Sequence, residues 1–123
     1  MFSFLKNLVS GAGESVTVGQ AARLLAEGAP LIDVRSPAEW ASGRARGAVH
    51  VPLGELQARG RKALESRGVR CRGEQPLLLI CQSGMRSRMA CVALAADPSL
   101  RTVNVSGGML AWQRAGLATE AFR

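Results

Sequence analysis

Four short apolar runs, separated by segments with helix signatures, constrain this chain more than any other feature. They are Leu31-Ile32-Asp33-Val34, Gly47-Ala48-Val49-His50-Val51, Leu77-Leu78-Leu79-Ile80 and Thr102-Val103-Asn104-Val105. Runs this short and nearly continuous suit strands covered on both faces, not strands with one wet face. Thr17-Val18-Gly19-Gln20 is a capping box, Thr at the N-cap and Gln at N3, that opens a helix to about Glu27 with Gly28 as its stop. Ser36-Pro37-Ala38-Glu39 is a second box, with Pro at the first helical position. Leu53, Leu56, Ala63 and Leu64 mark a helix over about 53–67, weakened by Gly60 and ended by Gly68. Residues 70–75 are polar and turn-like. The segment 86–96 is apolar nearly all round and is expected to form a well-buried helix, stopped by Asp97-Pro98. Gly107-Gly108 opens a last helix carrying Trp112. The alternation predicts an α/β domain with a mainly parallel sheet. Ligands of such sheets sit beyond the carboxyl ends of the strands.

Cys81 stands at such an end, directly after Ile80, and opens the stretch Cys81-Gln82-Ser83-Gly84-Met85-Arg86-Ser87 before a helix. The first-turn N–H groups of a helix have no intrahelical partners, and the helix dipole favours negative charge there. Both favour thiolate over thiol, which makes Cys81 the candidate nucleophile. Gly84 lets the loop curl so that successive N–H groups form an anion nest. Arg86 either binds the oxyanion of a substrate or shapes the loop. The candidate binding residues are therefore Gln82, Ser83, Gly84, Met85 and Arg86. Cys71 follows no apolar strand and Cys91 lies mid-helix, so both are expected to be structural.

One domain accounts for 123 residues. Three cysteines without regular spacing argue against a disulfide framework and for a reducing compartment, so a cytoplasmic location is expected. With one histidine and no CxxC pair, a structural zinc site is not expected. The net charge is +7, with basic clusters at Arg44 and Arg46, at Arg59, Arg61 and Lys62, and at Arg67, Arg70 and Arg72. An aromatic share of 4% and the absence of a recognition motif argue against a nucleic-acid partner and leave a field that attracts small anions. No run reaches the roughly 20 apolar residues of a membrane span, and Lys6 interrupts the apolar start, so neither a span nor a signal peptide is expected. Phe2, Leu5, Leu8 and Val9 can share one helical face and are expected to pack on the domain or fray.

The stretch CQSGMRS resembles the active loop of the rhodanese sulfurtransferases, and the likeness extends along most of the chain. LIDVRSPAEW is similar to that family's first strand and following helix, SGRARGAVHVPL to its Gly-Ala…Ile-Pro stretch, and VNVSGGMLAWQRAG to its closing Gly-Gly…Trp segment. The blocks run in order between about residues 14 and 120. Arg44 stands where the family usually has His, Ala45 where it has Ile, and Ala118 where Pro is common; the loop is intact. The resemblance implies an α/β fold with a parallel five-stranded sheet and helices on both faces. It also implies an N-terminal extension over 1–13, a rhodanese-like domain over 14–123, and no metal or organic cofactor. Cys81 would take sulfane sulfur from an anionic donor such as thiosulfate and pass it, as a persulfide, to a thiol or protein sulfur acceptor.

Two other readings stand beside this one. Cysteine-dependent phosphatases place five residues between Cys and Arg; here Gln82, Ser83, Gly84 and Met85 make four, a tighter ring better sized for sulfur than for phosphate. That disfavours a phosphatase or arsenate reductase on this scaffold, and the presence of Cys81 disfavours a non-catalytic binding module. Asp33 and Arg35 are expected to pair and tie loops together, Glu39 to complete its capping box, and His50, Trp40 and Trp112 to belong to the core.

Overall fold

The computed structural model describes residues 13–121, so the expectation for Phe2, Leu5, Leu8 and Val9 lies outside the described residues. In chain order the elements are β1 (Ser15–Val16), α1 (Val18–Ala26), β2 (Leu31–Asp33), α2 (Pro37–Ser42), β3 (Arg44–Ala45), β4 (Val49–His50), α3 (Leu53–Arg59), α4 (Arg61–Glu65), β5 (Pro76–Ile80), α5 (Met85–Leu94), β6 (Arg101–Val105), α6 (Gly108–Arg114) and β7 (Thr119–Glu120). Strands β1-β6-β5-β2-β4 form one parallel sheet, with β5 in the centre, and β3 pairs antiparallel with β7 beside it.

Both capping boxes form. Thr17 Oγ1 accepts the Gln20 N–H, and Gln20 Oε1 accepts the Thr17 N–H. Ser36 and Glu39 repeat the exchange at the start of α2. Strand side chains alternate between two cores. Leu31, Leu78, Ile80, Val103 and Val105 pack with Leu24 of α1 and Met109 and Trp112 of α6. Ile32, Leu77 and Leu79 pack with Leu56, Leu64, Cys91 and Leu94 on the other face. Every residue of β2 and β5 is buried, as a sheet covered on both sides requires.

Three expectations are corrected. The helix expected over 53–67 is two helices, because Gly60 between them has φ 56° and ψ −130°, a conformation open to glycine and incompatible with a helix. Helix α5 is not buried all round. Ser87, Ala90, Cys91 and Leu94 face the sheet, while Met85, Met89 and Val92 face outward. One side of α5 packs on β5, β6 and α3, and its outward side meets no further layer among the described residues. Trp40 and His50 are both half-buried, stacked on one another at edge strand β4, so neither belongs to the core, whereas Trp112 is core as expected.

The central strand and the exposed face of α5 separate in stability. Leu79→Ala should cost about 2–5 kcal/mol, and Val92→Ala no more than about 0.5 kcal/mol. Urea titrations followed by circular dichroism make the comparison; an equal loss at Val92 would mean that its face of α5 is covered.

Candidate active site

Cys81 emerges from the carboxyl end of the central strand β5 and is 1% exposed. Its Sγ accepts the N–H of Gly84 at 3.1 Å and lies 3.3 Å from the Ser87 hydroxyl. Ser87 is wholly buried in the first turn of α5, where helical side chains lean back toward the N-terminus. Its Oγ also lies 2.5 Å from Asn104 Oδ1 on β6. One hydroxyl hydrogen thus has two acceptors, and it can turn toward sulfur when the thiol ionises.

The three thiols diverge. Burial raises the pKa of Cys81, but the Ser87 hydroxyl and the N–H groups of Ser87, Gly84 and Ser83 outweigh burial and bring it below the usual thiol range. Burial pushes Cys91 up to about 11 and also raises Cys71, where the nearby Arg61 only partly offsets it. Among the three, the environment of Cys81 alone favours the thiolate.

The orientation of the loop has a source outside it. The N–H groups of Met109 and Leu110, in the first turn of α6, donate to the carbonyls of Cys81 at 2.8 Å and Gln82 at 3.1 Å. A trans peptide points its N–H opposite to its C=O. With those two carbonyls held against α6, the N–H groups of Gln82 and Ser83 turn the other way, toward the inside of the loop. The approach is close: a Cβ on Gly108 would lie 2.3 Å from the Cys81 carbonyl oxygen and 2.6 Å from that of Gln82. Gly107-Gly108, read in the sequence as a helix opening, is also the seat of the loop.

The flanking charges are tied up structurally. Asp33 and Arg35 are buried, and their side chains pair through Nη2–Oδ2 at 2.9 Å and two contacts from Nε. The remaining donors of Arg35 reach Gln82 Oε1 at 3.2 Å and the Gly43 carbonyl at 2.7 Å. The pair therefore joins the end of β2, the Cys81 loop and the end of α2. A ring nitrogen of His50 lies 2.7 Å from the Arg35 carbonyl, with the ring stacked on Trp40 at 4.8 Å. Arg44 covers Trp40 with its guanidinium 4.5 Å from the ring centroid.

Arg86 makes a two-pronged ion pair with Glu39, at 2.6 and 2.9 Å. Its guanidinium holds the Glu39 carboxyl down to about 2. Glu39 thus does more than the capping expected of it, linking α2 to the start of α5. Gln82 turns its side chain to Arg35, Ser83 and Gly84 present N–H groups to Sγ, and Met85 points outward. Ser87, Asn104 and Gly108 were not anticipated. Ser87 had a signal in its place at the third position of a helix that starts beside the cysteine. Asn104 had none, since only the parallel pairing of β5 with β6 brings it near. The cluster of Arg67, Arg70 and Arg72 lines a concavity with Pro30 and Gln75, at the amino ends of the strands and away from Cys81.

The family profile described as "Rhodanese-like domain" matches residues 17–115. A protein named "Sulfurtransferase" from Allochromatium vinosum is 34% identical over 91 residues, 74% of this chain and 78% of its own length. "Thiosulfate sulfurtransferase 16, chloroplastic" from Arabidopsis thaliana is 34% identical over 111 residues, 87% of this chain and 92% of its own. A crystal structure of a rhodanese-like domain protein from Staphylococcus aureus superposes with a TM-score of 0.69 at 25% identity, covering 89% of this chain and 99% of that one.

The seat of the loop gives a direct test. Gly108→Ala should push α6 off the loop carbonyls and slow Cys81 alkylation at neutral pH about tenfold, the effect of a one-unit rise in thiol pKa. Gly54→Ala, in α3 with nothing within 4 Å of its Cβ, should leave the rate unchanged. An unaltered rate in Gly108→Ala would show that the contact with α6 does not orient the loop.

Proposed function

The chain belongs to the rhodanese-like domain family, and from that premise we propose that it is a sulfurtransferase working through a persulfide on Cys81. The observation that carries the reading is a buried thiol whose sulfur receives the Gly84 N–H and the Ser87 hydroxyl, with its pKa below the usual range. The Cys81 thiolate attacks the outer sulfur of thiosulfate or a related donor. The sulfur–sulfur bond of the donor breaks, and sulfite leaves with the electron pair. An acceptor nucleophile, cyanide in an assay or a thiolate in a cell, then attacks the outer sulfur of the persulfide and returns Cys81 as thiolate. Neither step needs an external oxidant or reductant.

The site carries one negative charge as thiolate and one as persulfide anion. The same fixed N–H dipoles therefore serve both states without reorganising. Gln82, Ser83, Gly84, Met85 and Arg86 form the donor site on this reading: Ser83 and Gly84 act through N–H groups, as do Met85 and Arg86 in the first turn of α5. Arg86, held by Glu39, adds positive charge at the mouth and fixes the start of α5. Four residues between Cys81 and Arg86 support a ring sized for sulfur, since a phosphoryl group needs its equatorial oxygens bound and an in-line path. Arginine and lysine in excess over acids, with net charge +7, favour the approach of an anionic donor.

Thiosulfate should add the mass of one sulfur atom to the peptide bearing Cys81 and to neither the Cys71 nor the Cys91 peptide. Cys81→Ser should keep the fold and lose thiocyanate formation by about 1,000-fold or more, and the native protein should not hydrolyse aryl phosphates. Sulfur found on another cysteine, or retained activity in Cys81→Ser, would overturn the mechanism.

A further inference from the structure

Helix α5 leaves three large apolar side chains in water beside the catalytic loop: Met85 is 75% exposed, Met89 50% and Val92 64%. Their spacing of four and three residues puts them in one stripe along the helix. The stripe forms one wall of a cavity of about 410 Å³, with Asn104 and Ser106 on the other wall, and the Cys81 loop closes one end. Arg88 stands within the stripe. Arg88 is exposed, and among the described residues it has no carboxylate within ion-pair distance, as is also true of Arg46, Arg59, Arg70, Arg72 and Arg114; Arg88 is the one of these that lines the apolar groove.

From this we infer that the α5 stripe is the docking surface for an acidic protein that brings the acceptor thiol to Cys81. The inference rests on the reading of Cys81 as the sulfur-carrying nucleophile and assigns the partner to that site. Size argues for a protein. A small thiol or cyanide touches only the mouth of the loop, but the stripe runs seven residues down the helix, about 10 Å from it. Contiguous exposed apolar surface marks a contact surface, and methionine repacks readily against different partners. Charge argues for an acidic partner. An unpaired guanidinium amid apolar side chains is completed by a carboxylate at the edge of an apolar patch, and a net charge of +7 steers such a partner in. A lipid surface fits less well. The stripe lines a concave groove and carries one basic residue, where membrane-lying helices are rich in Lys and Arg.

The probes are two synthetic amphipathic helical peptides, each with an N-terminal cysteine and leucines at helical spacing, one bearing a single Glu beside the leucines and the other a Lys. Transfer of sulfur from persulfidated protein to each peptide is followed by mass spectrometry, with cyanide as the small acceptor. Binding of the same peptides with Ser in place of Cys is measured by fluorescence anisotropy, which needs no sulfur on Cys81. The native protein should prefer the Glu peptide by roughly tenfold in KM and Kd. Met89→Glu and Val92→Glu, both exposed, should each weaken the Glu peptide by roughly tenfold with cyanide turnover unchanged. Arg88→Glu should reverse the preference toward the Lys peptide. Equal binding of both peptides, or no effect of the three substitutions, overturns the docking surface. Binding to vesicles of phosphatidylserine and phosphatidylcholine that Met89→Glu abolishes, without peptide discrimination, overturns it in favour of a lipid surface. If sulfur never loads on Cys81, the sulfurtransferase reading fails alone, and the anisotropy measurement still decides the surface.

Discussion

Two hydrogen bonds from the start of α6 to the carbonyls of Cys81 and Gln82 are the constraint on which the site depends. A loop with one glycine and several polar residues has many conformations, and most of them would show Sγ a mixture of carbonyls and N–H groups. Fixing two carbonyls on α6 fixes two peptide planes, and planar peptides leave their N–H groups no choice of direction. The absence of a side chain on Gly108 permits that approach. The β6–β5 pairing then places Asn104 behind Ser87, and Ser87 behind Sγ. A buried sulfur would otherwise hold its proton more tightly, as Cys91 does at about 11. Cys91 lies deeper and has fewer donors aimed at it, whereas the donors around Cys81 outweigh the cost of its burial.

The second tier of contacts holds the loop from the opposite side. Buried Arg35 is neutralised by Asp33 and distributes its other donors to Gln82 and to the Gly43 carbonyl. A buried guanidinium with one partner removed is costly, so loss of Asp33 would disturb the loop as well as the core. Arg86 and Glu39 make the outer link, more exposed and correspondingly weaker. The parallel sheet makes these links possible, because β2, β5 and β6 all release their chains at the same end, where α2, α5 and α6 begin.

Local signals were legible, and contacts between distant segments were not. Both capping boxes, the central strand and the cysteine at its tip follow from residues close together in sequence. Strands β1, β3 and β7 have two residues each and no apolar pattern of their own; partners elsewhere in the chain make them strands. The outward face of α5 is not legible in sequence, because an apolar helix looks buried until the number of layers around it is known. The pairing of Asp33 with Arg35 is legible as opposite charges two residues apart, but the reach of Arg35 to Gln82 depends on β2 and β5 lying side by side. Gly107-Gly108 shows the same limit: tandem glycine marks a close approach, and only the fold says to what.

Donors around Cys81 overcome its burial. Thiolate absorbance titrated against pH, with the Cys81→Ser titration subtracted to remove Cys71 and Cys91, measures this directly. A Cys81 midpoint below the free-thiol value of about 8.5, moving upward in Ser87→Ala with the fold retained, is the predicted result. A midpoint at or above that value, or one indifferent to Ser87, would contradict the account.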